Sequence, residues 1–167
     1  GSFMSTSEII EWTKEQNKVI ISNTKIIPLN EMKGWECKEN SISHVSGKFF
    51  TIDGIRIHTN YRDVSEWDQP IINQPEIGFL GFIVQKFNGV MHFLMQAKIE
   101  PGNLNIVQLS PTLQATRSNF TRAHGGKTPD FLSYFLQMDP DNIVVDQIQS
   151  EQSSRFLHKR NRNVILR

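Results

Sequence analysis

The stretch His92–Lys127, HFLMQAKIEPGNLNIVQLSPTLQATRSNFTRAHGGK, decides how this chain is read. It opens on an apolar run, HFLM, followed by Gln96, Lys98 and Glu100 at alternate positions. Alternate residues of a strand share a face, so the pattern predicts a strand with these three polar groups on one side. Pro101-Gly102-Asn103 predicts a turn, and the run 105–114, NIVQLSPTLQ, predicts a second extended segment. The closing part, ATRSNFTRAHGGK, holds Arg117, Arg122, His124 and Lys127 with no carboxylate. Within it, Gly125-Gly126 allows close backbone approach. A cationic segment beside a strand that carries Lys and Glu suits an anionic small ligand.

Moving outward toward the N-terminus, Asn88-Gly89 stands between the apolar runs 78–87 and 90–96 and predicts a hairpin. Asp53-Gly54 predicts a second turn, pairing 47–52 with 55–57. Residues 60–69 read as a polar loop containing Trp67, and 70–75 as extended chain. Residues 28–35 predict a short helical turn ended by Gly34. Ser5, Thr6 or Ser7 can cap a helix that runs to about Asn17, with Glu8 and Glu11 in its first turn. Ile9, Ile10 and Trp12 supply part of its apolar face, and 19–27 is either a short strand or an extended connection.

Toward the C-terminus, 128–137 predicts a helix with Pro129 in its first turn and Phe131, Leu132, Tyr134 and Phe135 on the buried side. Asp139-Pro140-Asp141-Asn142 predicts a turn and 143–148 a strand. Residues 150–162 read as a final helix or an irregular basic segment. The class is α+β, a mixed or antiparallel sheet with few helices. Residues 1–27 read as a tag remnant and an N-terminal helical arm, and 28–167 as one domain.

The chain has 167 residues, 38% hydrophobic and 21% charged, with a net charge of +1. That composition suits one globular domain and speaks against a nucleic-acid partner. No apolar run reaches the roughly 18 residues of a membrane span, and no secretory signal is read. A single cysteine, Cys37, fits a reducing cytoplasm. Five histidines and Cys37 show no ligand spacing, so no metal site is expected.

Several long strings occur in a distinctive order. EPGN, QLSPTLQATRSN and HGGK follow WDQPIINQPEIG and precede QSEQSSRF and KRNRN. In these the chain resembles the NDP-hexose 2,3-dehydratases of deoxysugar biosynthesis, from about Pro28 to Leu166. The resemblance implies a Nudix-like fold, a mixed or antiparallel sheet sandwiched by a few helices. The R-E-x-x-E-E cluster of Nudix hydrolases is absent from the sequence. Members of the family carry two such repeats, and 167 residues have room for one. A homodimer imitating the two-repeat arrangement is therefore expected, with the N-terminal helix as part of the contact.

The implied substrate is a nucleotide-linked 4-keto-6-deoxyhexose, usually with thymidine. Its C4 ketone acidifies the C3 hydrogen, a base removes it, and the C2 hydroxyl leaves as water with help from an acid. No cofactor is needed. Glu76, Glu100 and Glu151 are the candidate bases, and Lys98 is the candidate to polarise the C4 oxygen. Glu100 before Pro-Gly has a competing reading as a turn residue. Glu151 has one as the helical partner of Arg155, four residues on. His92 beside an apolar run reads more readily as structural than as a proton carrier. Arg117, Arg122 and Lys127 are the diphosphate candidates, with Gln96, Asn119, His124, Gly125 and Arg155 as further substrate contacts. The second basic run, Arg155, Lys159, Arg160 and Arg162, either completes the diphosphate site, pairs across an interface or is solvated. The Trp67 ring suits stacking on thymine or sugar, or anchoring a loop.

Overall fold

The structure is a computed structural model that describes residues 1–61, 63–116 and 127–167. The first helix, α1 (Thr6–Val19), begins with a capping box in which Ser5 accepts from the Glu8 N–H and Glu8 accepts from the Ser5 N–H. Residues 20–28 form no regular element. A short 3-10 turn, Leu29–Glu31, then leads to Gly34, whose positive φ of 78° turns the chain.

The strands β1 (Trp35–Cys37), β2 (Ser41–His44), β3 (Thr51–His58) and β4 (Glu66–Asn73) form an antiparallel sheet in that order. Two expectations fail here. Asp53-Gly54 makes no turn: β3 runs straight through it, because Asp53 and Gly54 pair with Ile71 and Pro70 of β4. The Asp53 carboxylate accepts from Thr51 at 2.7 Å and from Asn73 at 2.8 Å, so the polar group that favours a turn is used along and across the strands. Residues 66–69 are strand, not loop. Their polar side chains lie on a solvated face, where Arg56 holds Asp68 through two 2.8 Å bonds. Polarity marked exposure, and a half-exposed sheet meets it as well as a loop does.

The second sheet is mixed. Its order is β10 (Ile143–Ser150), β11 (Arg160–Leu166), β5 (Gly78–Phe87) and β6 (Val90–Leu94), with β9 (Leu113–Ala115) also paired to β5. β11 and β5 are parallel and the other pairs antiparallel. Asn88 and Gly89, with φ of 47° and 84°, close the β5–β6 hairpin as read from the sequence. A two-stranded ribbon, β7 (Gln96–Ile99) with β8 (Val107–Ser110), joins β6 to β9.

Register separates the two faces of the mixed sheet. Phe79, Gly81 and Ile83 pair with Arg162, Val164 and Leu166, and this face carries the core cluster of Phe79, Leu113, Ala115, Leu132, Phe135, Val164 and Leu166. It is covered by α2 (Leu132–Leu136). The predicted helix over 128–137 is shortened because Phe131 takes a left-handed φ of 63° just before it. Only Leu132 and Phe135 of the four expected side chains are buried; Phe131 and Tyr134 are exposed. Gly81 makes the helix contact possible, since a Cβ there would lie 2.2 Å from the Phe135 ring.

Of the two readings of 150–162, the helix is absent and the irregular segment describes 151–159, while Arg160 onward is strand. Residues 151–159 form the β10–β11 connection, and the chain then enters β11. The connection crosses to the first sheet: Ile72 N–H donates to the Arg155 carbonyl at 2.8 Å and Leu157 N–H donates to the Ile72 carbonyl at 2.9 Å. No described helix is long and apolar enough to cross a membrane.

Candidate active site

The opposite face of the mixed sheet carries polar groups at one end. Gly78 pairs with Asn161, and Leu80 pairs with Asn163 on one side and Gln114 on the other. Here a cleft of about 480 Å³ opens between this end of the sheet, the β7–β8 ribbon and the 151–159 connection. Its polar wall is Gln74, Lys98, Glu100, Gln114, Thr116, Glu151, Lys159 and Asn161, and its apolar wall includes Leu80, Ala115 and Phe156.

Three residues expected to act together do converge. Lys98 comes from β7, Glu100 from the turn after it, and Glu151 from the start of the β10–β11 connection. Lys98 and Glu100 form an ion pair at 2.7 Å on the partly exposed rim. Glu151 stands deeper, accepting from the Asn161 amide at 2.5 Å. The expected Glu151–Arg155 helix pair does not form, because the segment is not helical.

Lys159 lines the same cleft, with only 6% of its surface exposed. Its ammonium donates to the backbone carbonyl of Glu76. Burial lowers its pKa below the usual lysine range, against the opposing pull of Glu76 and Glu151. A buried cation with a perturbed pKa on a cleft wall marks a candidate functional group. Gly78 leaves room for this array, since a Cβ there would lie 2.5 Å from the Asn161 side-chain oxygen. Among the described residues the cleft wall carries two ammonium groups, two carboxylates and several amides.

Other expected contacts lie elsewhere. Glu76 enters through its carbonyl and its charge on Lys159; its side chain is not part of the cleft wall. The Gln96 amide is taken by the Pro111 and Thr112 carbonyls at 3.1 and 3.0 Å. The fully buried Thr112 hydroxyl bridges the Ile83 N–H and the Leu94 carbonyl, where β5 changes partner from β9 to β6. Gln96 therefore supports that junction and does not line the cleft. Trp67 sits on β4, its indole N–H donating to Gln69 at 2.9 Å, and Gln69 donates to the Ser154 carbonyl. Arg155 is exposed and outside the cleft. Lys127 is exposed and meets Asp130 at 3.2 Å. Arg117, Asn119, Arg122, His124 and Gly125 lie outside the described residues.

The second basic run is not a free cationic patch. Lys159 is buried, and Arg162 makes a two-bond pair with Asp146 at 2.8 and 2.6 Å while lying over the Phe79 ring. His92 packs against Phe3 and Phe87 with Nδ1 at the Val90 carbonyl, while its buried Nε2 has no partner among the described residues. Asn161, Gln114 and Gln74 were not picked out from the sequence. Residues 160–166 run Arg-Asn-Arg-Asn and then Val-Ile-Leu without alternation, so the sequence carries no period-two signal that places Asn161 away from the core.

The mixed sheet of this α+β protein thus carries at one end a polar cleft with a paired Lys and Glu on its wall. The chain matches the family model described as NDP-hexose 2,3-dehydratase over residues 6–167 and belongs to that family. It is 44% identical over 176 residues to the dTDP-4-dehydro-6-deoxy-alpha-D-glucopyranose 2,3-dehydratase of Amycolatopsis orientalis, covering 99% of this chain and 37% of that protein. Its identity to the enzyme of that name from Saccharopolyspora spinosa is 44% over 168 residues, 99% of this chain and 35% of the relative. For the one from Streptomyces violaceoruber it is 47% over 142 residues, 83% and 32%. The chain thus spans about a third of the length of the curated relatives it matches.

Proposed function

We propose that the cleft holds the hexose of a dTDP-4-keto-6-deoxyglucose and that the chain takes part in removing water across C2 and C3. The observation that carries this reading is the meeting of Lys98 and Glu100, neighbours at the end of β7, with Glu151 from a distant segment in one cleft. In this reading Lys98 stabilises the negative oxygen that forms at C4 when the C3 proton leaves. Glu100 or Glu151 takes that proton. The relatives' names supply the substrate class. The chain acts without a cofactor, in the cytoplasm, as one Nudix-like unit.

The test is incubation with the keto sugar nucleotide in deuterated water. Deuterium entering at C3, followed by loss of water, is expected, and Glu100→Gln or Glu151→Gln should abolish the exchange. Saturable binding without exchange would instead support a nucleotide-sugar-binding module.

We also infer a homodimer. Met91, Phe93 and Met95 are exposed along β6 and just beyond it, and among the described residues β6 has no strand on its outer side. Exposed apolar edges of this kind are commonly covered. Light scattering should give twice 19.3 kDa; a monomer of 19.3 kDa would overturn it.

A further inference from the structure

We propose that Lys159 is the acid that protonates the departing C2 hydroxyl, a role that rests on the dehydratase reading above. The elimination needs a base for the C3 proton, a cation at the C4 oxygen and a donor for the leaving oxygen. The described cleft holds two ammonium groups. Lys98 is paired with Glu100 at 2.7 Å on the rim, which suits it to stabilise charge. Lys159 is built differently. It is 6% exposed, and its one described acceptor is the Glu76 backbone carbonyl. A carbonyl fixes the ammonium without taking its proton, and Glu76 and Glu151 act on it through their charge. Its remaining N–H groups are uncommitted among the described residues.

Desolvation makes this ammonium a readier proton donor than a solvated lysine. The charged groups around it are Glu76 and Glu151, which hold the proton, and Lys98 and Glu100 on the same cleft; His158 beside it is exposed. Asn161, two residues on, fixes the Glu151 carboxylate. Base and acid are therefore anchored from the two ends of one connection.

The step balances without redox change. The carboxylate takes the C3 proton, and the electron pair of that bond passes through the C4 enolate to form the C2–C3 double bond. The C2–O bond breaks, and the hydroxyl leaves as water with the Lys159 proton. The C3 enol then loses its hydroxyl proton and gains one at C2, giving the 3,4-diketo sugar. The carboxylic acid releases its proton to solvent, and the neutral amine takes one back.

The experiment compares Lys159→Met and Lys159→Arg with the parent, measuring C3 exchange and water loss separately. Both variants should keep exchange within a few-fold and lose dehydration by about 100-fold or more, since Arg retains charge but does not give up a proton. Dehydration at the parent rate in either variant overturns the proposal, as does an equal fall in exchange and dehydration. A second measurement avoids mutation. With 13C at lysine Cε, one resonance should titrate below the others and shift when the dTDP-sugar is added. A buried lysine that titrates with the rest and ignores the sugar also overturns it. If the parent neither exchanges nor binds the sugar nucleotide, the dehydratase reading fails and takes the acid role with it. Exchange in the parent with intact dehydration in the variants sinks the acid role alone.

Discussion

Asn17 closes the outer edge of β8 at Val107. Its side-chain oxygen accepts from the Val107 N–H at 2.9 Å, and its amide donates to the Val107 carbonyl at 3.1 Å. One side chain thus satisfies both backbone groups of a residue that is 1% exposed. This pairing ties α1 to the ribbon that carries Lys98, within the same chain. The outer residues Ile10 and Trp12 stay exposed, so the helix keeps apolar surface for the proposed dimer.

Asn17→Ala should therefore lower stability by about 1–3 kcal/mol, the penalty for leaving buried backbone groups unpaired. Urea unfolding reads it. Asn17→Asp, which keeps the acceptor and loses the donor, should fall between the parent and Ala.

Gly81→Ala should be destabilising by about 1–3 kcal/mol, because the added methyl meets the Phe135 ring. Phe135→Leu should relieve part of that penalty. A double-mutant cycle with strictly additive effects would show that the close approach is not what limits residue 81.

The Asp146–Arg162 pair predicts an acid limb. The two bonds from the Arg162 guanidinium hold the Asp146 carboxyl below its usual pKa. Its stabilising effect is present above the unfolded value of about 3.9 and is lost as pH falls through the folded value. Both side chains are about a third exposed, which screens the pair and limits it to about 1 kcal/mol. Asp146→Asn should lower stability by that much at neutral pH and flatten the fall toward acid.

Lys159 predicts the opposite limb. Its folded pKa is lowered by burial, so between that value and about 10.4 the unfolded chain binds a proton that the native chain does not. Stability should then rise with pH across this window. The parent should gain on Lys159→Met as pH is raised toward about 10. A constant difference between the two would show that Lys159 is charged or neutral alike in both states.

The mixed sheet was legible where local chemistry and pairing agree. Asn88-Gly89 makes the hairpin it signals, and Ser5 caps the helix it precedes. Asp53-Gly54 carries the same kind of signal, yet pairing along all of β3 overrides it. The 151–159 connection was opaque because its order comes from Ile72, a residue far away in sequence. The site follows the same division. Glu100 and Glu151 stand in distinctive strings, Lys98 alternates with Glu100 along the chain, and the three line one cleft. Asn161 and Lys159 matter through burial, which a run of basic and amide residues does not reveal.

The connection from Glu151 to Lys159 belongs to both sheets at once. It closes the β10–β11 hairpin, and through Arg155 and Leu157 it lies against Ile72 of β4. Neither sheet can open there without breaking bonds of the other, so the two halves of the molecule share one unfolding unit at this seam. A sugar gripping Glu151 and Lys159 would consequently be felt on β4. Slower amide exchange at Ile72 and Leu157 on ligand addition is the trace it would leave, on the side of the protein that carries no cleft wall from β3.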